Sequence, residues 1–206
     1  MGFYSRHIFP RLVEWSLGSA VVRGERRATL EGLHGEVLEI GFGTGLNLGC
    51  YPPRVSRVTA IDSVTLLPAR VADRIARSHV AVEQFQLDAG KRLPFEDNAF
   101  DGVVTTFTLC SIADIRSALV EIKRVLKPEA EYVFLEHGRS DNPRIARQQD
   151  LANPITKFIG CGCHLNRRID SLITDAGLKI GNLERFVMPD SPRILGEMYR
   201  GVARKS

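Results

Sequence analysis

Cysteine is scarce in this chain, at 4 of 206 residues. That is too few for the disulfide scaffold of a small secreted domain and points to a reducing compartment, the cytoplasm. Long apolar runs are missing: no stretch approaches the roughly 20 apolar residues that cross a bilayer. The opening segment "MGFYSRHIFPRLVEWSLGSAV" also lacks the small-residue cleavage site expected of a secretory leader. Charge of one sign does not accumulate, because 28 Lys and Arg are interleaved with 24 Asp and Glu for a net charge of +4. A dedicated nucleic-acid binder carries a basic stripe with stacking aromatics, so nucleic acid is not expected as a partner. Internal repeats and low-complexity segments are absent too, which leaves one non-repetitive unit.

What is present suits a soluble globular protein. Hydrophobic residues make up 44% and charged residues 25%. The length, residues 1–206, predicts a single domain with a core large enough to need neither disulfides nor a metal. Near the N-terminus, Ile8, Phe9, Leu12, Val13, Trp15 and Leu17 are interrupted by Arg6, His7, Arg11 and Glu14. This pattern predicts an amphipathic helix within a helical lid over 1–34, whose second use is peripheral contact with a membrane surface.

From Glu36 onward strand and helix patterns alternate. "EVLEIG", "RVTAID", "VAVEQFQLDA", "FDGVVTTFTL" and "EYVFLEH" read as strands. "TLLPARVADRIAR", with Leu67, Val71 and Ile75 four apart, and "IRSALVEIKRVLK", ending at Pro128, read as helices. Such alternation predicts an α/β fold of three layers, with a mostly parallel sheet between helices. Near the C-terminus "RRIDSLITDAG" reads as a helix closed by Gly177. The strand-like runs "LKIGNLERFVM" and "ILGEMYRGVAR" follow, joined by a short "PDSP" link that favours an antiparallel pair.

"VLEIGFGTGLNLG" reads as a strand, a tight glycine loop and a helix start. Gly41, Gly43 and Gly45 let the backbone approach a ligand closely, but Leu46 stands where the dinucleotide fingerprint needs its third glycine. The next strand ends in Asp62, placed to accept both hydroxyls of a ribose. No arginine follows it to pair with a 2′-phosphate. The third strand ends in Leu87-Asp88-Ala89, an acceptor for an adenine amino group beside an apolar face, although such an Asp also serves as a turn former.

With these segments in view, the chain resembles the class I S-adenosylmethionine-dependent methyltransferases. The likeness is carried by "VLEIGFGTG", "VTAID", "LDAGKRLPFEDNAFD" and "EIKRVLKP"; "LPFEDNAFD" is typical of the small-molecule branch that holds the quinone methylases. The resemblance implies a Rossmann-like three-layer sandwich with a seven-stranded, mostly parallel sheet and an antiparallel last strand. It also implies S-adenosyl-L-methionine as cofactor. Gly41, Phe42, Gly43, Gly45 and Asn47 would cradle its methionine part, with Glu39 near the amino group. Asp62 and Ser63 would hold the ribose, Asp88 and Ala89 the adenine, and Thr106 and Phe107 would lie beside the sulfonium. Family members often carry glycines after "LKP", whereas this chain has Glu129-Ala130.

The reaction such enzymes perform is an in-line displacement on an activated methyl group, in which alignment supplies much of the rate. A proton acceptor is needed only when the nucleophile arrives protonated. His137, at the end of "FLEHG", is the candidate catalytic residue, as base or substrate orienter. Tyr4, Cys110, Cys163 and His164 join His137 as acceptor-side residues, and Tyr4, Arg6 and His7 would fold over the cofactor. Asp114 would cap the helix after "LCSIAD". The stretch 139–165 is expected to be an acceptor-side insertion whose Ile155, Phe158, Ile159 and Leu165 suit a partly lipophilic acceptor. The overall layout, with "LEHG", "GCHLNR" and "YRGVAR", is similar to a branch containing thiol S-methyltransferases and bacterial phospholipid N-methyltransferases. Thiol or phospholipid amine is therefore the favoured acceptor. The rivals are an NAD-type oxidoreductase on a similar sheet and a non-catalytic partner subunit that binds the cofactor. Within "FIGCGCHLNRR", Cys161 and Cys163 are too close for a zinc pair and no second pair exists along the chain, so no metal is expected. The segment reads as a turn, with Asn166 capping the following helix and Cys163 and His164 facing the acceptor.

Overall fold

The computed structural model describes Tyr4 and residues 8–205; Arg6 and His7, expected in the lid, lie outside the described residues. One sheet of seven strands organises the chain, in the order β3-β2-β1-β4-β5-β7-β6. These are β1 (Gly35–Ile40), β2 (Val55–Asp62), β3 (Ala81–Gln86), β4 (Phe100–Thr106), β5 (Leu126–His137), β6 (Leu178–Val187) and β7 (Glu197–Lys205). The pairings β1–β2, β1–β4, β2–β3 and β4–β5 are parallel, whereas β7 runs antiparallel to both β5 and β6. The expected sheet, with its antiparallel last strand, is therefore what forms.

Side chains alternate between two faces with the strand period of two, and both faces are covered. Leu38, Ile40, Val103, Tyr132 and Phe134 pack on one face, under α4 (Ile115–Val125) and α6 (Ile169–Asp175). Val37, Val58, Val104 and Val133 pack on the other, with Leu30 of α2 (Ala20–Leu30) and Val71 of α3 (Pro68–Ala76). Asp114 caps α4 as expected, accepting from the Ser117 N–H at 3.1 Å and the Ser117 hydroxyl at 2.7 Å. Pro68 sits in the first turn of α3, and Gly177 ends α6 at φ +79°.

Several local expectations are corrected. The lid segment forms two helices, α1 (Phe9–Leu17) and α2, with Gly18 and Ser19 between them and the Ser19 side chain capping α2. Helix α4 stops at Val125, before Pro128, because β5 already begins at Leu126. The glycine loop leads into no helix: residues 44–50 form successive tight turns, with Gly45, Leu48 and Cys50 N–H groups donating to Phe42, Gly45 and Asn47. The stretch 139–165, to which the sequence pattern assigns no secondary structure, is mostly helix α5 (Pro143–Ile159), and short α7 (Arg193–Gly196) precedes β7. Asn166 does not cap α6, whose cap position is Arg168; its side chain donates instead to Asp150 at 2.9 Å. Among the described residues, no helix is long and apolar enough to cross a membrane.

Candidate active site

The order of the sheet places β1 beside β4, so the chain leaves these neighbouring strands toward opposite sides. In open α/β sheets this switch point, at the carboxyl ends of the strands, is where ligands bind. A cavity of about 810 Å³ lies there.

The β1 side of the cavity is built from backbone. Gly41, Gly43 and Gly45 take φ of +78°, +58° and +76°. A Cβ on Gly41 would sit 2.0 Å from the Thr108 hydroxyl, so only glycine lets the two loops approach this closely. Asp62, at the end of β2, accepts the Gly43 N–H at 2.8 Å and the Val64 N–H at 3.1 Å, and its burial raises its pKa. Asp88 accepts the Gly90 N–H at 2.9 Å, so it serves its own turn while lining the cavity with Leu87 and Ala89. A pyrophosphate site would need helix N–H groups and the helix dipole behind the loop. The turns after Gly43 supply neither, which weighs against a dinucleotide.

Beneath the loop lies a buried polar network that sequence reasoning only partly found. Asn47, 1% exposed, donates to Glu39 at 2.9 Å and accepts from Arg26 at 2.8 Å. Arg26 also donates to the Thr106 hydroxyl at 2.6 Å, and its guanidinium lies 5.0 Å from the Phe107 ring centre. Glu39 further accepts from the Tyr51 hydroxyl at 2.6 Å. Burial raises the Glu39 pKa to about 7, partly offset by the Tyr51 hydrogen bond and the Arg26 charge. Burial lowers the Arg26 pKa, but a guanidinium stays charged, so a cation and an acid stand close together at the cavity wall. The Arg26 Nε is buried with no hydrogen-bond partner. Phe107 adopts φ +55°, a conformation of the kind that persists where the surroundings enforce it.

Helix α1 is fastened over the glycine loop by Glu14. Its carboxylate accepts the Thr44 hydroxyl at 2.5 Å and pairs with Arg74, which also donates to the Thr44 carbonyl at 2.7 Å. The Arg74 hydrogen bond is the main cause that holds Glu14 below the usual carboxylate range. Tyr4 donates to the Ile159 carbonyl at 2.8 Å, linking the lid to the end of α5.

At the far end of the cavity stand His137, Cys110 and Cys163. His137 Nε2 lies 2.9 Å from Cys163 Sγ. The interaction with Cys110 is the main cause that lowers the Cys163 pKa, and it raises that of the fully buried Cys110 well above the ordinary range. Glu136, buried and unnoticed in the sequence although it adjoins His137, accepts the Thr108 N–H at 2.8 Å and the Leu109 N–H at 3.1 Å, which shapes the loop that carries Cys110. Its pKa rises to about 7 because of burial.

Most of the expected residues thus converge on one cavity: Glu39, Gly41, Phe42, Gly43, Asp62 and Ser63 on one side, and Asp88, Ala89, Thr106 and Phe107 on the other, with Tyr4, Cys110, His137 and Cys163 beyond. Asn47 and Gly45 lie just behind the wall. His164 is not part of it; its ring contacts the Asn153 amide at 3.4 Å and its N–H donates to the Cys110 carbonyl at 2.9 Å. Ile159 and Leu165 line the cavity, while Ile155 and Phe158 face outward. Arg26 was missed because an arginine on a lid helix reads as a solvated surface charge; only its packing against β4 reveals its role.

An open α/β sheet with a glycine loop, two acidic strand ends and a large apolar cavity defines a nucleoside-cofactor enzyme. A family model described as "Methyltransferase domain" matches residues 38–134. Thiol S-methyltransferase TMT1B of Rattus norvegicus is 36% identical over 181 residues, covering 83% of this chain and 74% of the relative. Phosphatidylethanolamine N-methyltransferase of Cereibacter sphaeroides is 30% identical over 174 residues, covering 82% and 83%. The crystal structure of a SAM-dependent methyltransferase from Methanosarcina mazei superposes with a TM-score of 0.62 at 27% identity, covering 82% of this chain and 92% of that one. The chain belongs to the class I S-adenosylmethionine-dependent methyltransferases, and S-adenosylmethionine is its cofactor.

Proposed function

We propose that this methyltransferase transfers its methyl group to the thiol of a small, partly lipophilic acceptor. The observation that carries the reading is the make-up of the acceptor end. Among the described residues, the acids that line the cavity are Glu39, Asp62 and Asp88, all on the cofactor side. Glu136 adjoins His137 but does not line the cavity and is engaged by the Thr108 and Leu109 N–H groups, so an ammonium acceptor would find no lining acid at this end. A thiol, with an ordinary pKa of about 8.5, needs only a nearby imidazole to take its proton.

On the cofactor side, Asp62 holds the ribose hydroxyls and Asp88 the adenine amino group. Glu39 and Arg26 match the opposite charges of the methionine amino acid end, and the unpartnered Arg26 Nε is a donor available to its carboxylate. The bound cofactor supplies an electrophilic methyl on sulfur. Phe107 and Thr106 flank the position of that sulfur, and His137 orients the incoming thiol and accepts its proton. Helix α1, clamped through Glu14, excludes water from the cleft.

Two exposed apolar stripes favour a lipophilic source for the acceptor. Helix α1 presents Leu12 and Trp15, the latter 82% exposed, and α5 presents Leu151, Ile155 and Phe158, the last 84% exposed. Tyr4 links the two helices at the cavity mouth. Side by side they suit shallow contact with a lipid surface, with Arg11, Arg147 and Lys157 exposed nearby for anionic headgroups. The same stripes support a second reading, methylation of a phospholipid amine, as in the Cereibacter relative. Labelled-methyl transfer to alkyl thiols and to phosphatidylethanolamine vesicles separates the two. We expect label in the thioether; label in the phospholipid alone would overturn the thiol reading.

A further inference from the structure

Three metal-ligating side chains meet at the acceptor end of the cavity from three separate segments. Cys110 lies in the loop after β4, His137 ends β5, and Cys163 closes the insertion. Their ligand atoms all lie within 4.8 Å of one another. Cys161, the neighbour that makes the local sequence look like a paired motif, is exposed and not part of the group. The expectation of no metal rested on spacing along the chain, and that spacing is blind to a ligand such as Cys110, which only the fold brings up beside Cys163.

We propose that Cys110, His137 and Cys163 form a three-ligand site for a thiophilic divalent cation of the zinc class, with the fourth position open to the cavity. The donor set suits it: zinc takes thiolates and imidazole, and its catalytic sites keep three protein ligands and one exchangeable position. The size suits it as well. Ligands bound tetrahedrally at about 2.0–2.3 Å stand roughly 3.5–3.8 Å apart. His137 Nε2 and Cys163 Sγ, now 2.9 Å apart, would separate by about 0.6 Å to admit an ion, within a group whose ligand atoms already lie within 4.8 Å of one another. All three residues line the cavity, which directs the remaining position toward the acceptor. Two thiolates neutralise a divalent charge, as a buried site requires. The ring nitrogen that faces the thiols is His137 Nε2, 2.9 Å from Cys163 Sγ, which is the nitrogen placed to coordinate.

The backbone around the group is already held. The His164 N–H donates to the Cys110 carbonyl at 2.9 Å, which ties the Cys163 segment to the Cys110 loop. Glu136 holds the same loop by accepting two of its N–H groups, and Arg167 donates to the Leu109 carbonyl. A site with its ligands fixed this way pays little ordering cost on binding an ion.

The consequence for chemistry rests on the thiol reading above. An acceptor thiol that takes the fourth position gives its proton to solvent and binds as thiolate. Its sulfur lone pair forms the bond to the methyl carbon while the sulfonium S–CH₃ bond breaks and leaves its electrons on the cofactor sulfur. The products are the methyl thioether and neutral S-adenosylhomocysteine. In this arrangement His137 is a ligand, which replaces the proton-accepting role given to it above: the ion rather than the imidazole makes the thiol nucleophilic.

The test is metal binding by the full chain, read directly. The protein is incubated with zinc, freed of excess by gel filtration and analysed for metal; cobalt substitution then reports the ligands through thiolate-to-cobalt charge-transfer bands. About one ion per chain is expected, with a tetrahedral thiolate spectrum. Cys110→Ser and Cys163→Ser should lose the ion while still binding S-adenosylhomocysteine, and Cys161→Ser should keep it. No retained zinc, a cobalt spectrum without thiolate bands, or equal loss in Cys161→Ser would each overturn the site. The wild-type cobalt spectrum stands even where a variant fails to fold. Thiol methylation by protein shown to be metal-free would overturn the role of the ion in the chemistry and leave the thiol reading, with His137 as proton acceptor, intact. Full metal binding with methyl transfer only to amines would do the reverse.

Discussion

Arg26 on α2 and Glu39 on β1 are joined through one side chain: Asn47 accepts from Arg26 at 2.8 Å and donates to Glu39 at 2.9 Å. This bridge places a buried cation and a buried acid at one end of the cavity, the pair proposed above to recognise the amino acid end of the cofactor. It also couples the lid to the sheet, since Arg26 belongs to the N-terminal helices and its other partner, Thr106, ends β4. Arg26→Lys keeps the charge but loses the planar fork that spans Asn47 and Thr106. We expect cofactor affinity to fall by about 10-fold or more, read by calorimetry, with the melting temperature also reduced.

If Glu39 contacts the cofactor as proposed, cofactor binding should depend on pH. Its pKa in the folded protein without cofactor is about 7, against 4.5 for the unperturbed group. A raised carboxyl contributes stability that is fully present below its unfolded pKa and is lost as pH rises through about 7. The melting temperature of the cofactor-free protein should therefore decline over that window. A methionine ammonium beside Glu39 favours the carboxylate, so binding releases a proton and tightens as pH rises through the same window. Glu39→Gln should make the melting profile shallower, the remainder coming from Glu136, whose pKa is also about 7, and should flatten the pH dependence of cofactor Kd. An unchanged pH dependence of cofactor Kd in that variant would remove Glu39 from the contact.

Asp62 holds the glycine loop and lines the cavity, where we propose that it also binds the ribose hydroxyls. Charged hydrogen bonds of this kind are each worth about 1.5–3 kcal/mol, so Asp62→Ala should weaken cofactor binding by roughly 10- to 100-fold. Equal affinity in variant and parent, measured by titration calorimetry, would refute the ribose assignment.

Glu129 is an exposed non-glycine residue at φ +65° early in β5, just after the "LKP" that the family resemblance expects glycines to follow. The left-handed conformation costs an L-residue about 1–2 kcal/mol, part of which a glycine returns to its greater freedom when unfolded. Glu129→Gly should stabilise the fold by about 0.5–1 kcal/mol in urea denaturation without altering turnover. A loss of stability would show that the Glu129 side chain has a role of its own.

Leu151 and Phe158 lie on the outward face of α5, away from the cavity wall. Leu151→Asp with Phe158→Asp should abolish co-sedimentation with anionic vesicles and slow methylation of vesicle-borne acceptors, while methylation of a water-soluble thiol persists. Undiminished vesicle binding would refute the docking face.

Much of the cofactor half was legible in the sequence because its signals are local. The alternation of buried valines, isoleucines and leucines specifies strands of a two-sided sheet, and glycines and aspartates at the strand ends mark the loops. The errors were also local. The helix expected after Gly45 is a run of turns, and the pattern of "RSDNPRIARQQDLANPITKFI" concealed α5 because Pro154 sits inside it and its apolar stripe faces outward.

The sequence by itself determined the order of the strands, the antiparallel close of the sheet and the glycines and aspartates at the strand ends that line the cavity, since each follows from periodicity or from backbone conformations that only certain residues adopt. Tertiary structure alone decided the two ends of the cavity. Burial turns Arg26 from a surface charge into the partner of Asn47 and Thr106, because a guanidinium removed from water must find its hydrogen bonds within the protein. Folding likewise carries Cys110 and His137 to Cys163 across long stretches of chain. Sequence spacing does not record that encounter, because the crossings of a sheet, not the distance along the chain, bring those side chains together.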